Sequence, residues 1–240
     1  MEGLKLLGAA LDAGAAVESV YVAAGAEAPG VAAAVDRALG AGARVFELAP
    51  GVLERVADTV TPQPVMAVVR MPVHTMDDLG GATFVVLCAD VRDPGNAGAV
   101  IRAADAAGAD AVVCCEGTTD PYNPKTVRAS AGSVLHLPVV VGPSAEEALA
   151  ELGRRRFRRL AAAARGGTDH TRADMTGPTA LVLGNEASGL PAELRALIDE
   201  HVTVAMGGRA ESLNVSTAAA VLCFEVRRQR SNLLAVEETR

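Results

Sequence analysis

A chain of 240 residues can form one large domain or two modest ones. Half of its residues are apolar but only 2% are aromatic, so the core must be built from Ala, Val and Leu, which favours helices packed closely on a sheet. A formal net charge of −7 argues against a general nucleic-acid coating protein and leaves room for a local basic cleft.

The four cysteines, Cys88, Cys114, Cys115 and Cys223, sit in apolar sequence. None has zinc-ligand spacing, and an adjacent pair suits neither a metal nor an ordinary disulfide. Buried free thiols in a reducing cytosol, with no bound metal, are the expectation. No cationic-then-apolar signal opens the chain, and no uninterrupted apolar run reaches the roughly 18 residues of a bilayer span. The reading is a soluble cytoplasmic protein without a membrane partner.

From Met1 to about Met71 helix and strand alternate. Leu4 to Leu11 reads as a helix ended by Gly14, and Val17 to Val22 has the period-2 alternation of a strand. Val31 to Leu39 is helical and stops at Gly40 and Gly42. Arg44 to Leu48 is a second strand, Val52 to Ala57 a short helix, and Val65 to Arg70 a third strand after a Pro-rich turn. These elements make a small α/β domain over residues 1–75. Its first helix begins abruptly at Met1, so an element is expected to be shortened there. Pro72 and the Gly80-Gly81 pair bracket a polar stretch, read as a linker over 76–82.

The second unit, 83–240, opens with Phe84 to Ala89, a continuous apolar run of the kind found in parallel strands covered on both faces. Further strands are expected at 111–115, 139–141, 160–164, 180–183 and 202–204. Helices are expected at 97–107, from Pro124 as a first helical residue, at 145–152 and at 191–198. Alternation at this spacing predicts a parallel sheet with helices on both faces. The last helix, from Val215, is apolar almost all the way round and is therefore expected to be buried, carrying Ser212 and Asn214 inward. Either residue would serve as an N-cap, but capping needs only one.

Ligands of open parallel sheets bind at the C-terminal strand ends. Three polar turns fall there: Asp93-Pro94-Gly95-Asn96, Gly184-Asn185-Glu186, and Met206 through Asn214. Single glycine turns would merely permit tight bends; three at one sheet edge point to a ligand held by main chain. Gly95-Asn96-Ala97-Gly98 has G-x-x-G rather than G-x-G-x-x-G spacing, which disfavours a nicotinamide site. HExxH, GxSxG and P-loop patterns are absent. The run Arg154-Arg155-Arg156-Phe157-Arg158-Arg159 is either a solvated helix end or an RNA contact.

Asp93 through Arg102, Leu183 through Leu190 and Met206 through Ser216 resemble, in order and spacing, the three motifs of the SpoU (TrmH) family of RNA ribose 2′-O-methyltransferases. Asn123 through Ser133 matches a further family stretch, and the resemblance covers residues 84–228. Residues 1–75 are similar to the ribosomal-protein-like (L30e-like) RNA-recognition domain of some members. Ala205 stands where the family often has Pro, which loosens a turn but removes no functional group.

The resemblance implies a SPOUT fold, an α/β parallel sheet whose C-terminal segment threads a trefoil knot. It also implies a homodimer with S-adenosylmethionine as cofactor. The cofactor would lie against Leu183, Gly184, Asn185, Val204, Met206 and Leu213. The catalytic set carried over is Arg102, Asn96, Glu186, Ser212 and Asn214. Family accounts make Arg102 the general base; because a guanidinium keeps its proton, we read it as a fork on the target phosphate that polarises the 2′-oxygen. The plainer role of Arg102 is a surface pair with Asp105, and that of Glu186 a helix-start carboxylate. Lys125 and Arg128 would contact RNA backbone. The implied activity is 2′-O-methylation of ribosomal RNA; transfer RNA, or noncatalytic RNA binding on the same fold, are the alternatives.

Overall fold

The computed structural model describes residues 1–57, 59 and 61–237, and side chains through 232. The chain forms two compact units, one of Met1–Pro72 with Ala131–His136, the other of Val73–Ser130 with Leu137–Arg240.

In the smaller unit, α1 (Leu4–Asp12), β1 (Val17–Ala23), α2 (Val31–Gly40), β2 (Arg44–Leu48), α3 (Val52–Val56) and β3 (Val65–Val69) build a three-stranded sheet of order β2-β1-β3. The β1–β2 pair is parallel and the β1–β3 pair antiparallel. Leu7 and Ala10 of α1, Ala38 of α2, Val20 and Val65 form the core, because helical and strand periodicities each turn their small apolar residues to the same side. Ala131–His136 joins this unit. Gly132 has φ +103°, and a Cβ there would lie 2.5 Å from the Ala9 Cβ, so only glycine allows the approach.

The larger unit contains β4 (Phe84–Cys88), α4 (Pro94–Ala107), β5 (Ala111–Cys114), α5 (Pro124–Ser130), β6 (Val139–Val141) and α6 (Ala145–Arg154). It continues with β7 (Arg158–Ala162), β8 (Thr168–Asp169), β9 (Thr179–Leu183), β10 (Glu200–Thr203) and α7 (Val215–Glu237). Its seven strands run in the order β6-β5-β4-β9-β7-β10-β8, every neighbouring pair parallel. Val85, Leu87, Val113 and Val182 face Leu149 and Leu152 of α6. Alternate residues such as Val86, Val112 and Leu181 turn to the opposite face, where α4 packs on α7. Burying a leucine such as Leu149 or Leu152 contributes roughly 1.5–3 kcal/mol. The four thiols are buried and unpaired, and burial pushes Cys115 and Cys223 up to about 12.

α4 starts as its sequence dictates. Asp93 is the N-cap, its carboxylate accepting from the Asn96 N–H at 2.8 Å, and Pro94 opens the helix. Gly98 lets α5 close in: a Cβ there would meet the Ala129 Cβ and the Thr126 carbonyl oxygen, each at 2.5 Å.

Three sequence expectations change. The stretch 76–82 holds a 3₁₀ turn, Met76–Leu79, capped reciprocally by Thr75 and Asp78, and Leu79 is buried in the core of the larger unit. Met76 and Ala82 pack against the same core, but three apolar residues among Asp and Gly make too short a pattern to mark an element. In the arginine run, Arg155 pairs with Glu151 at 2.6 Å, Arg158 with Glu200 at 2.6 Å and Arg159 with Asp199 at 2.8 Å. Arg154 and Arg156 are exposed at the C-terminal end of α6, as a solvated helix end would be, whereas Arg158 and Arg159 lie in β7 and are ion-paired, so the run as a whole is not a free cationic patch. Finally, Ser212 and Asn214 are exposed, and α7 leaves Phe224 48% exposed. A helix apolar all round is buried only where a partner covers each face, and the described residues leave Phe224 half uncovered.

Candidate active site

The turns after β4 and β9, and the turn that follows β10 and precedes α7, end at one rim of the larger unit. The Asn96 side-chain amide donates to Glu186 Oε1 at 3.0 Å, and the Asn214 amide donates to Asn96 Oδ1 at 2.9 Å. Asn214 Oδ1 in turn accepts from the Ser216 N–H at 2.8 Å, so Asn214 is the N-cap of α7. This chain of hydrogen bonds ties together turns ninety and more residues apart.

Glu186 also accepts from the backbone N–H groups of Asp93 at 3.3 Å and Arg92 at 3.5 Å. Partial burial alone would raise its pKa, but the Asn96 amide and the backbone donors outweigh that and hold it below the ordinary value. The carboxylate is therefore charged at neutral pH and organises the turn after β4.

Behind this rim lies a cavity of about 590 Å³, a size suited to a cofactor. Asn96, Glu186, Ser212, Asn214, Leu183, Gly184, Asn185, Val204, Met206 and Leu213 all line it. Arg102, Lys125 and Arg128 do not; their side chains are exposed on α4 and α5. Among the described residues Arg102 forms no ion pair, so the pairing with Asp105 is absent.

The apolar wall comes from residues the motifs did not single out: Ala162 at the end of β7, Ala163 and Ala164 after it, Val202, and Ala218 and Leu222 of α7. The adjacency of β7 to β9 would have found the alanines, but strand order is not written in any local pattern. Gly184 shapes the floor. A Cβ there would sit 2.5 Å from the Gly189 carbonyl carbon and 2.6 Å from its oxygen, so only glycine permits the turn. Asn185 Oδ1 accepts from the N–H groups of Ala187 and Ser188, at 2.9 and 3.1 Å. Its backbone exchanges hydrogen bonds with Gly189 at 3.0 and 2.9 Å. The result is an apolar chamber with a polar, hydrogen-bonded lip and a main-chain floor, a shape that suits an amphiphilic ligand. Among the described residues no group of His, Cys, Asp and Glu side chains is placed to bind a metal ion, and no helix is long and apolar enough to cross a membrane.

The family model described as the SpoU rRNA methylase family matches residues 83–224. A second, described as RNA 2′-O ribose methyltransferase substrate binding, matches residues 1–74. The chain is 35% identical over 188 residues to the Bacillus subtilis 23S rRNA (guanosine(2553)-2′-O)-methyltransferase RlmP, covering 78% of this chain and 73% of that one. It is 37% identical over 191 residues to the 23S rRNA (uridine(2479)-2′-O)-methyltransferase of Streptomyces viridochromogenes, covering 76% and 67%. Among solved structures, that of the SpoU methyltransferase AviRb from S. viridochromogenes, in complex with the cofactor AdoMet, superposes with a TM-score of 0.84 at 31% identity. The match covers 97% of this chain and 90% of that one. An AdoMet-bound rRNA methyltransferase from Sinorhizobium meliloti superposes at 0.81 with 33% identity, covering 95% and 86%. With the motif order, the all-parallel sheet and the rim in agreement, the chain belongs to the SpoU rRNA methylase family.

Proposed function

We propose that this protein transfers the methyl group of S-adenosylmethionine to a ribose 2′-hydroxyl of ribosomal RNA, in the cytoplasm and as a homodimer. The observation that carries the reading is the hydrogen-bonded series Glu186–Asn96–Asn214 at the lip of the cavity. The relatives named above act on 23S rRNA, and two structural neighbours hold AdoMet. The residues present fit that cofactor: an apolar chamber for an adenine, a glycine floor that a Cβ would fill, and polar side chains at the open end.

When bound, the cofactor supplies an electrophilic methyl on sulfur. The protein's part is chiefly positioning, which can account for roughly 7–11 kcal/mol of a barrier when reacting atoms are held in line. Leu183, Gly184, Asn185, Val204, Met206 and Leu213 wall the chamber, through backbone at the glycine turn. Asn96, Glu186 and Asn214 keep the lip in shape, and Ser212 sits exposed beside them, ready to meet the ribose. Arg102, outside the chamber and without an ion pair among the described residues, would grip the target phosphate and stabilise the negative charge that develops on the 2′-oxygen as its proton passes to phosphate or water. Lys125 and Arg128 on α5 extend that grip along the RNA backbone.

The unit of Met1–Pro72 is assigned the L30e-like role of docking on folded RNA, and the segment between β10 and α7 the closure of the trefoil knot. The half-exposed Phe224, with Ala220 and Val221 beside it on α7, is assigned to the subunit interface.

Incubating purified protein with methyl-labelled S-adenosylmethionine and total RNA tests the reading. Label should enter ribosomal RNA. Label confined to transfer RNA would redirect the substrate, and donor binding without any RNA labelling would leave only a binding protein of this fold.

A further inference from the structure

Asp90, just past β4, does not line the cavity, yet one turn of the cavity wall hangs on it. The Asn185 side-chain amide donates to Asp90 Oδ2 at 3.1 Å and to the Asp90 carbonyl oxygen at 3.2 Å. The other carboxylate oxygen accepts from Arg92 Nε at 2.8 Å. The Asp90 side chain is only 19% exposed. From the far side the loop after β5 closes over it. Gly117 has φ +88°, and a Cβ there would lie 2.8 Å from Asp90 Oδ1. The Thr119 N–H donates to the Val91 carbonyl at 2.9 Å.

Both polar atoms of the Asn185 side chain are thereby engaged within the protein. Its amide nitrogen donates to Asp90, and its carbonyl oxygen takes the N–H groups of Ala187 and Ser188. Although the motif marks Asn185 as a cofactor contact, its side chain is turned to these partners. The side chain works instead as a strut between Asp90 and the turn 184–189.

We infer that Asp90 is a positioning residue for the methyl donor: it holds the Asn185 amide and so fixes the Gly184–Gly189 turn whose backbone forms the floor of the cavity. This rests on the donor reading above. A carboxylate suits the task because it accepts from Asn185 and Arg92 at once, one oxygen to each, and charge-assisted bonds of this kind are the stronger class.

The test compares wild type, Asp90→Asn, Asn185→Asp and the double exchange, measuring donor Kd by titration calorimetry, kcat with saturating donor and RNA, and the melting temperature. Asp90→Asn sets two amides against each other, and Asn185→Asp two carboxylates. The double variant restores an amide facing a carboxylate at unchanged net charge. Each single variant should weaken donor binding by about tenfold or more, with a much smaller fall in kcat at saturation, and the double variant should recover most of the affinity. Wild-type Kd in both single variants overturns the inference and leaves the donor site standing. Failure of the wild type itself to bind the donor overturns both. Parallel losses of Kd, kcat and melting temperature that the exchange does not repair overturn it too, since they mark a purely structural residue.

Discussion

The side-chain amide of Asn214 donates to the side-chain oxygen of Asn96 at 2.9 Å, across 118 positions of the chain. Asn96 answers by donating its own amide to Glu186 at 3.0 Å. It must accept on one side and donate on the other, which only an amide does here. Asn96→Asp keeps the shape, removes the donor, and sets two carboxylates together. Methyl transfer should fall by about tenfold or more in kcat/KM, while Asn96→Gln, which keeps both functions on a longer arm, should retain more activity than the aspartate. Equal activity for wild type and Asn96→Asp would separate the rim from the chemistry.

The same rim sets a pH dependence. Glu186 has its folded pKa below the usual 4.5, so its contribution is present above the unfolded value and is lost as pH falls through the folded one. Protection of the Arg92 and Asp93 amides, whose N–H groups point at this carboxylate, measured relative to the intrinsic exchange rate at each pH, should persist at neutral pH and fall only below about 4.5. Loss of protection already near neutrality would mean that the carboxylate does not hold the turn.

Gly184→Ala places a methyl 2.5 Å from the Gly189 carbonyl carbon, which is backbone and cannot swing aside. The expected cost is about 1–3 kcal/mol of stability, with donor binding lost well beyond what that destabilisation explains. Denaturant titration and calorimetry read the two effects separately.

Arg102→Lys keeps the charge and loses the planar fork. Because Arg102 does not line the cavity, donor Kd should be unchanged while kcat drops about a hundredfold, the size of effect expected for one electrostatic stabiliser. Near-normal turnover in the lysine variant would remove Arg102 from both the base and the phosphate-fork roles.

Phe224 leaves 48% of its surface exposed on α7, between Ala220 and Val221 one turn before it and Arg227 and Arg228 one turn after. Phe224→Glu should shift the protein from dimer to monomer in sedimentation experiments. A wild type that sediments as a monomer would instead leave Phe224 as a solvent-facing aromatic.

Much of this is legible in the sequence. The continuous apolar run 84–89 marked a strand buried on both faces, and the polar turns after β4 and β9 and before α7 marked the rim, because local patterns carry both kinds of signal. What escaped depends on distant partners. Leu79 sits in the core although its neighbours are polar, and Arg158 and Arg159 find Glu200 and Asp199 only through the β7–β10 pairing. Ser212 and Asn214 were expected inside because α7 looks apolar all round, whereas one chain covers only part of that helix. Nothing near Asp90 in the chain reveals that Asn185 hangs on it.

The central claim is that this rim delivers a methyl group to a ribose oxygen and not to a base. The direct measurement is alkaline hydrolysis of ribosomal RNA after reaction with methyl-labelled S-adenosylmethionine, because a 2′-O-methyl group blocks cleavage at its own phosphodiester. The label should appear in alkali-resistant dinucleotides. Label recovered wholly in mononucleotides would place the methyl on a base and contradict the account.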